Sequence, residues 1–121
     1  MKTPPIQVLS GKKRIGKDQP VFIVAEIGIN HNGDMDLACR MIDEAKRAGA
    51  DSVKFQNYRT EDFLGDKSLT HTYISQGREI SESQFEMFRR YELNREQLFL
   101  LSQYCHESGL HFFSTPTGRE S

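Results

Sequence analysis

Val24–Gly33 reads VAEIGINHNG. It continues an apolar run that begins at Val21, and then places a carboxylate, Glu26, where a strand covered on both faces should stay apolar. It closes on Asn30, His31 and Gly33 before a helical pattern begins, and these residues suit a tight turn from strand to helix with positive φ at some positions. The turn is not a phosphate loop, because neither G-x-x-x-x-G-K-[ST] nor a G-x-G-x-x-G following a strand occurs in the chain. His31 is expected to orient a neighbouring carboxylate or loop carbonyl rather than to bind metal or move protons.

Working outward, Asp34 or Asp36 can cap a helix whose apolar residues Leu37, Met41, Ile42, Ala45 and Ala48 recur at three- to five-residue steps, with Gly49 as its stop. ADSVKFQ, Ala50 to Gln56, is a second strand. Asn57 to Ser83 is polar and without sustained periodicity, and so reads as a long loop. A helix follows around Gln84 to Tyr91. Asn94 with Gln97 forms a capping-box pattern that opens another helix, with Leu98, Leu101 and Cys105 on one face and Gly109 as the stop. LHFFSTP, Leu110 to Pro116, is the third strand. Residues 1–20 are an N-terminal arm or short hairpin, and residues 21–121 the main domain. The order is strand, helix, strand, helix, helix, strand, with no hairpin signal between the principal strands. It predicts an α/β fold of right-handed crossovers and a parallel sheet.

Sixteen Lys and Arg balance 17 Asp and Glu, for a formal net charge of -1. Bulk charge therefore draws the 121-residue chain to neither nucleic acid nor a membrane surface, and any anion must be held by a local site. No apolar run approaches the roughly 20 residues of a membrane span, and Met1 to Pro20 lack a signal-peptide core, so a cytoplasmic protein is expected. Cys39 and Cys105 lie in helical patterns without C-x-x-C spacing and are expected to be buried, reduced thiols. His71, His106 and His111 form no ligand spacing with His31.

Lys54 is the second anomaly. Alternation along the strand puts Val53 and Phe55 on one face and Ser52, Lys54 and Gln56 on the other. A buried, unpaired ammonium costs several kcal/mol, so an anion is expected beside it. Glu26 ends the preceding strand at the corresponding level, and the third strand ends in the hydroxyls of Ser114 and Thr115. Ligands of parallel sheets and barrels bind at the carboxyl ends of strands, where these polar groups collect. The competing account is a structural ion pair that merely closes the end of the sheet.

Taken together, AEIGINHNG, AGADSVKFQ, SESQFEM, YELNREQL and GLHFFSTP resemble, in order and spacing, the amino-terminal part of the sialic acid synthase family, which includes N-acetylneuraminate and legionaminic acid synthases. The resemblance implies a (β/α)8 TIM barrel, of which this chain would supply the first three β/α units. It also implies condensation of phosphoenolpyruvate with an N-acetylated amino sugar of the N-acetylmannosamine type, giving a nonulosonic acid and phosphate. A divalent metal, Mn or Mg, is implied, with ligands on later strands outside this chain, as is a homodimer. By position, Lys54 is implied to contact phosphoenolpyruvate, Glu26 the sugar near the reacting centre, and Gln56 the sugar through its amide. Thr117 stands where the family usually carries an aromatic residue lining the sugar pocket, which leaves the N-acyl substituent open. Because a complete barrel takes about 250 residues, the chain is expected to be a fragment, inactive alone and prone to self-association through open sheet edges. The alternative expectation is a non-catalytic metabolite-binding or assembly module derived from the barrel.

Overall fold

A computed structural model describes residues 7–10, 13–66 and 68–118. The arm contains a hairpin, with β1 (Gln7–Ser10) antiparallel to β2 (Lys13–Gly16). The rest of the 1–20 segment is described only from 17 to 20. Lys13 of β2 pairs with Asp51, whose carboxylate also accepts the Ile23 N–H at 2.7 Å. The hairpin is thus tied to the amino ends of the main strands.

Three strands, β3 (Val24–Gly28), β4 (Ser52–Tyr58) and β7 (His111–Thr117), form the parallel sheet in the order β3-β4-β7. The first strand differs from expectation. It starts at Val24 rather than Val21, and Val21 and Ile23 are 81% and 52% exposed. It is not covered on both faces: Val24 and Glu26 are exposed while Ile27 is buried.

The helices begin and end on local signals. Asp34 caps α1 (Met35–Arg47) by accepting from the N–H groups of Asp36 and Leu37, so Asp36 is inside the helix and not its cap. Ala38 and Ile42 are the buried face of α1. Leu37, Met41 and Ala45, expected to be core, are only half-buried, and Ala48 is exposed. In α4 (Arg95–Glu107) the expected capping box of Asn94 and Gln97 is present, and Leu101 and Cys105 are buried. Each helix ends in a positive-φ glycine, Gly49 or Gly109. In each, the next N–H closes on a carbonyl one turn back, Ala50 on Ala45 at 3.0 Å and Leu110 on Cys105 at 2.9 Å. Both motifs hand the chain directly to the next strand. Ile27, Ile42, Val53, Phe55, Leu101 and Leu110 form the core between sheet and helices. Both cysteines are free. Burial pushes the Cys105 thiol up to about 12, with Cys39 adding to the effect, and Cys39 itself is only half-buried.

The segment expected to be a loop holds three elements. A short α2 (Thr60–Phe63) is followed by an antiparallel hairpin of β5 (Thr70–Ser75) and β6 (Arg78–Ser83), turning at Gln76 and Gly77, both with positive φ. The hairpin leads into α3 (Gln84–Tyr91), at the bounds the sequence predicted. Its pairing is carried by polar groups: the Tyr73 hydroxyl donates to Glu82 at 2.9 Å, and Arg90 of α3 holds the same carboxylate with two bonds at 2.9 and 3.0 Å.

Candidate active site

Cross-strand partners in a parallel sheet share a face. The register aligns Glu26, Lys54 and Phe113 in one row, and Gln56 with Thr115 in the next row toward the carboxyl ends. On the opposite face Val53 and Phe55 are fully buried against the helices, with the Phe112 ring 5.6 Å from that of Phe55. Lys54 therefore points away from the core, and its Nζ lies 2.8 Å from Glu26 Oε2. The expected anion is present.

The expected burial is not. The side chains are 31% and 47% exposed, although Ser52 and Tyr58 on the same face of β4 are buried. An ion pair this open contributes at most about 1 kcal/mol, so folding alone gives the chain little reason to keep it.

Two further corrections concern the third strand. Ser114 is paired with Phe55, on the helix side, and its hydroxyl is buried with no hydrogen-bond partner among the described residues. It does not belong with Lys54. Phe113, 42% exposed, does share the face of Lys54, and alternation along LHFFSTP would have placed it there. Thr117 is exposed at the end of β7, two residues beyond Thr115.

The loop after β3 supplies the rim of the site. A register shift between Glu26 and Gly28 turns the chain, and Gly28 has a φ of 59°. The Asn30 side-chain amide donates to the Ile27 carbonyl at 2.9 Å. His31 is fully buried, its ring 5.8 Å from Phe55, and its Nδ1 accepts the Gly33 N–H at 3.0 Å. The imidazole thus organises the loop by accepting the Gly33 N–H. Accepting at Nδ1 leaves the proton of the neutral ring on Nε2, which has no partner among the described residues.

Burial lowers the His31 pKa, with the Gly28 backbone pulling more weakly the other way. Below about pH 6.5 the unfolded chain binds a proton on this ring that the folded chain resists, so folding stability falls as pH drops from 7 toward 5.5. Urea unfolding across that range is expected to show this loss. His31→Asn, whose side-chain oxygen can accept the same N–H, should flatten it, and an unchanged slope would contradict the assignment.

Among the described residues no group of three or more His, Cys, Asp or Glu side chains converges to hold a metal. The resemblance implied a divalent ion whose ligands lie on later strands outside this chain, and no step is derived through it. No helix among them is long and apolar enough to cross a membrane.

Comparison with known proteins bears on this geometry. Residues 41–121 match the NeuB family. The chain is 35% identical to N,N'-diacetyllegionaminic acid synthase of Legionella pneumophila over 113 residues, covering 93% of this chain and 32% of that protein. It is 40% identical to human N-acetylneuraminate-9-phosphate synthase over 98 residues, covering 81% of this chain and 27% of that protein. A crystal structure of N-acetylneuraminic acid synthetase from Leptospira borgpetersenii, in complex with citrate, superposes with a TM-score of 0.77 at 32% identity over 96% of this chain and 36% of that one. The chain thus spans about a third or less of the length of the curated relatives it matches.

Proposed function

The chain belongs to the NeuB family, and from that premise we propose that it forms the first three β/α units of a TIM-barrel synthase condensing phosphoenolpyruvate with an N-acetylated amino sugar. The relatives named as sialic and legionaminic acid synthases support a role in making nonulosonic acids. The observation that carries the proposal is the Glu26–Lys54 pair, 2.8 Å apart in the middle of parallel strands, on the face that Gln56 and Thr115 continue toward the carboxyl ends, where barrel enzymes hold their ligands.

In the proposed reaction the enol carbon of phosphoenolpyruvate attacks the sugar aldehyde. Water captures the resulting oxocarbenium, and the tetrahedral intermediate expels phosphate. Lys54 is assigned to the anionic donor, because an ammonium can stabilise negative charge on carboxylate or phosphate throughout. Glu26 and Gln56 are assigned to the sugar, since a carboxylate repels the donor and accepts hydroxyl protons. Thr117, small and polar, leaves room at the rim for the N-acyl group. The proposal keeps a divalent metal, with ligands outside this chain, and a homodimer.

Phosphate release by the protein expressed from its complete reading frame, supplied with phosphoenolpyruvate and N-acetylmannosamine or related amino sugars, tests this function. Release that requires both substrates is expected. Release indifferent to every amino sugar offered would contradict it. The 121-residue chain alone is expected to be inactive and to associate through the open edges of β3 and β7, which sedimentation velocity would detect as dimers or larger species.

A further inference from the structure

Arg90, in the last turn of α3, meets two parts of the chain with different groups. Its backbone carbonyl is the seat of Gly33, where an added methyl group would lie 2.2 Å from the carbonyl oxygen. Its guanidinium holds the Glu82 carboxylate of β6 with bonds at 2.9 and 3.0 Å and lies 5.3 Å from the centre of the Tyr91 ring. Glu82 also accepts from the Tyr73 hydroxyl of β5, so both strands of the hairpin are fastened at one point.

Both parts border the candidate site. Gly33 ends the loop that begins beside Glu26, and that loop is tightly wound. Asn30, Asn32 and Asp34 donate their backbone N–H groups to the carbonyls of Ile27, Ile29 and His31 at 3.0, 3.1 and 2.9 Å. Three successive turns leave little slack between Gly28 and Gly33. The hairpin, for its part, follows the carboxyl end of β4, the strand that carries Lys54 and Gln56. Arg90 therefore joins the loop after one site strand to the insertion after the next.

We propose that Arg90 is a positioning residue for the acceptor sugar, locking the β5–β6 hairpin and the loop 28–33 into one wall at the rim of the site. The proposal rests on the synthase function above and deepens it. As a contribution to folding the pair is weak, because the Arg90 side chain is 53% exposed and open ion pairs hold little energy. As a joint it is precise. Two parallel bonds to one carboxylate fix the angle of the guanidinium as well as its distance, and the neighbouring Tyr91 ring favours a set orientation. The wall stands on the Glu26 side, which is assigned to the sugar. Lys54 sits in the middle of β4, held by strand pairing on both sides, so loosening the wall should reach the sugar and spare phosphoenolpyruvate.

Steady-state phosphate release by the complete protein, with phosphoenolpyruvate and N-acetylmannosamine varied in turn, tests the joint. Arg90→Met keeps an apolar stem and removes the fork. It is expected to raise the KM for the sugar about tenfold or more while the KM for phosphoenolpyruvate stays where it was. Glu82→Ala breaks the same joint from the hairpin side without altering α3 and should do the same, which keeps the test decisive if Arg90→Met does not fold. Arg90→Lys, with the charge but not the fork, should fall between. Fewer active molecules with both KM values unchanged, or an equal rise in both, would overturn the proposal and leave Arg90 a residue of the fold. Hydrogen exchange of the complete protein distinguishes this failure from that of the synthase reading, since Arg90→Met should speed exchange in the hairpin, residues 70–83, and not in β4. That faster exchange, in a protein whose phosphate release never depends on an amino sugar, would sink the synthase reading and the sugar role while keeping the joint. Unchanged exchange in the hairpin would sink the joint, whatever the activity.

Discussion

Lys54→Ala is expected to lower phosphate release by the complete protein about 10²- to 10³-fold, the usual loss when one group stabilising developing negative charge is removed. It should do so with almost no change in thermal stability. The ion pair it breaks is 31% and 47% exposed, and open pairs hold little folding energy. That dissociation of effects separates a ligand-holding lysine from one that closes a sheet end. Lys54→Arg should recover part of the activity, because the charge is kept while the geometry is not. A large drop in stability with activity per folded molecule preserved would favour the structural account.

Gly33→Ala is expected to give the largest loss of stability among the site-loop substitutions. A methyl group at residue 33 would lie 2.2 Å from the Arg90 carbonyl oxygen, and the φ of 75° already disfavours a side chain. The carbonyl belongs to the last turn of α3 and cannot swing aside as a flexible side chain would. Overpacking and left-handed strain together cost about 2–5 kcal/mol. Gly49→Ala is the control: its φ is 91°, but nothing lies within 4 Å of the added methyl group, so it carries the strain alone. Urea midpoints of the two variants should differ clearly, with Gly33→Ala the lower. Equal midpoints would mean that the loop does not rest on α3 as described. Because Gly33 also donates to His31 and Arg90 also clamps Glu82 of the β5–β6 hairpin, the variant should disturb loop and hairpin together.

Helix boundaries were legible because they are decided by neighbours in the chain. Asn94 with Gln97, and the stops at Gly49 and Gly109, act over three to five residues, and the structure keeps each of them. The β5–β6 hairpin was not legible. Its strands pair through Thr72 with Ser81 and Tyr73 with Glu82, while Ile74 is 79% exposed, so no apolar alternation marks them. The turn uses Gln76, a residue seldom found with positive φ. The pairing of Glu26 with Lys54 could be read from two strands of matching polarity. Their exposure could not, because burial depends on what covers a face rather than on the strand itself. Gly28 escaped notice, because the register shift between Glu26 and Gly28 turns it toward the carboxylate, and spacing in the sequence does not report a shift.

That Glu26 and Lys54 divide one ligand site between them is tested most directly by titrating phosphoenolpyruvate into the complete wild-type protein and its Lys54→Ala and Glu26→Gln variants while following the phosphorus resonance of the ligand. Binding by the wild type is expected to vanish in Lys54→Ala and to be equal or tighter in Glu26→Gln, since the carboxylate competes for the ammonium that the ligand needs. Binding indifferent to both substitutions, or lost equally in both, would contradict the assignment of the anion to lysine and of the sugar to glutamate.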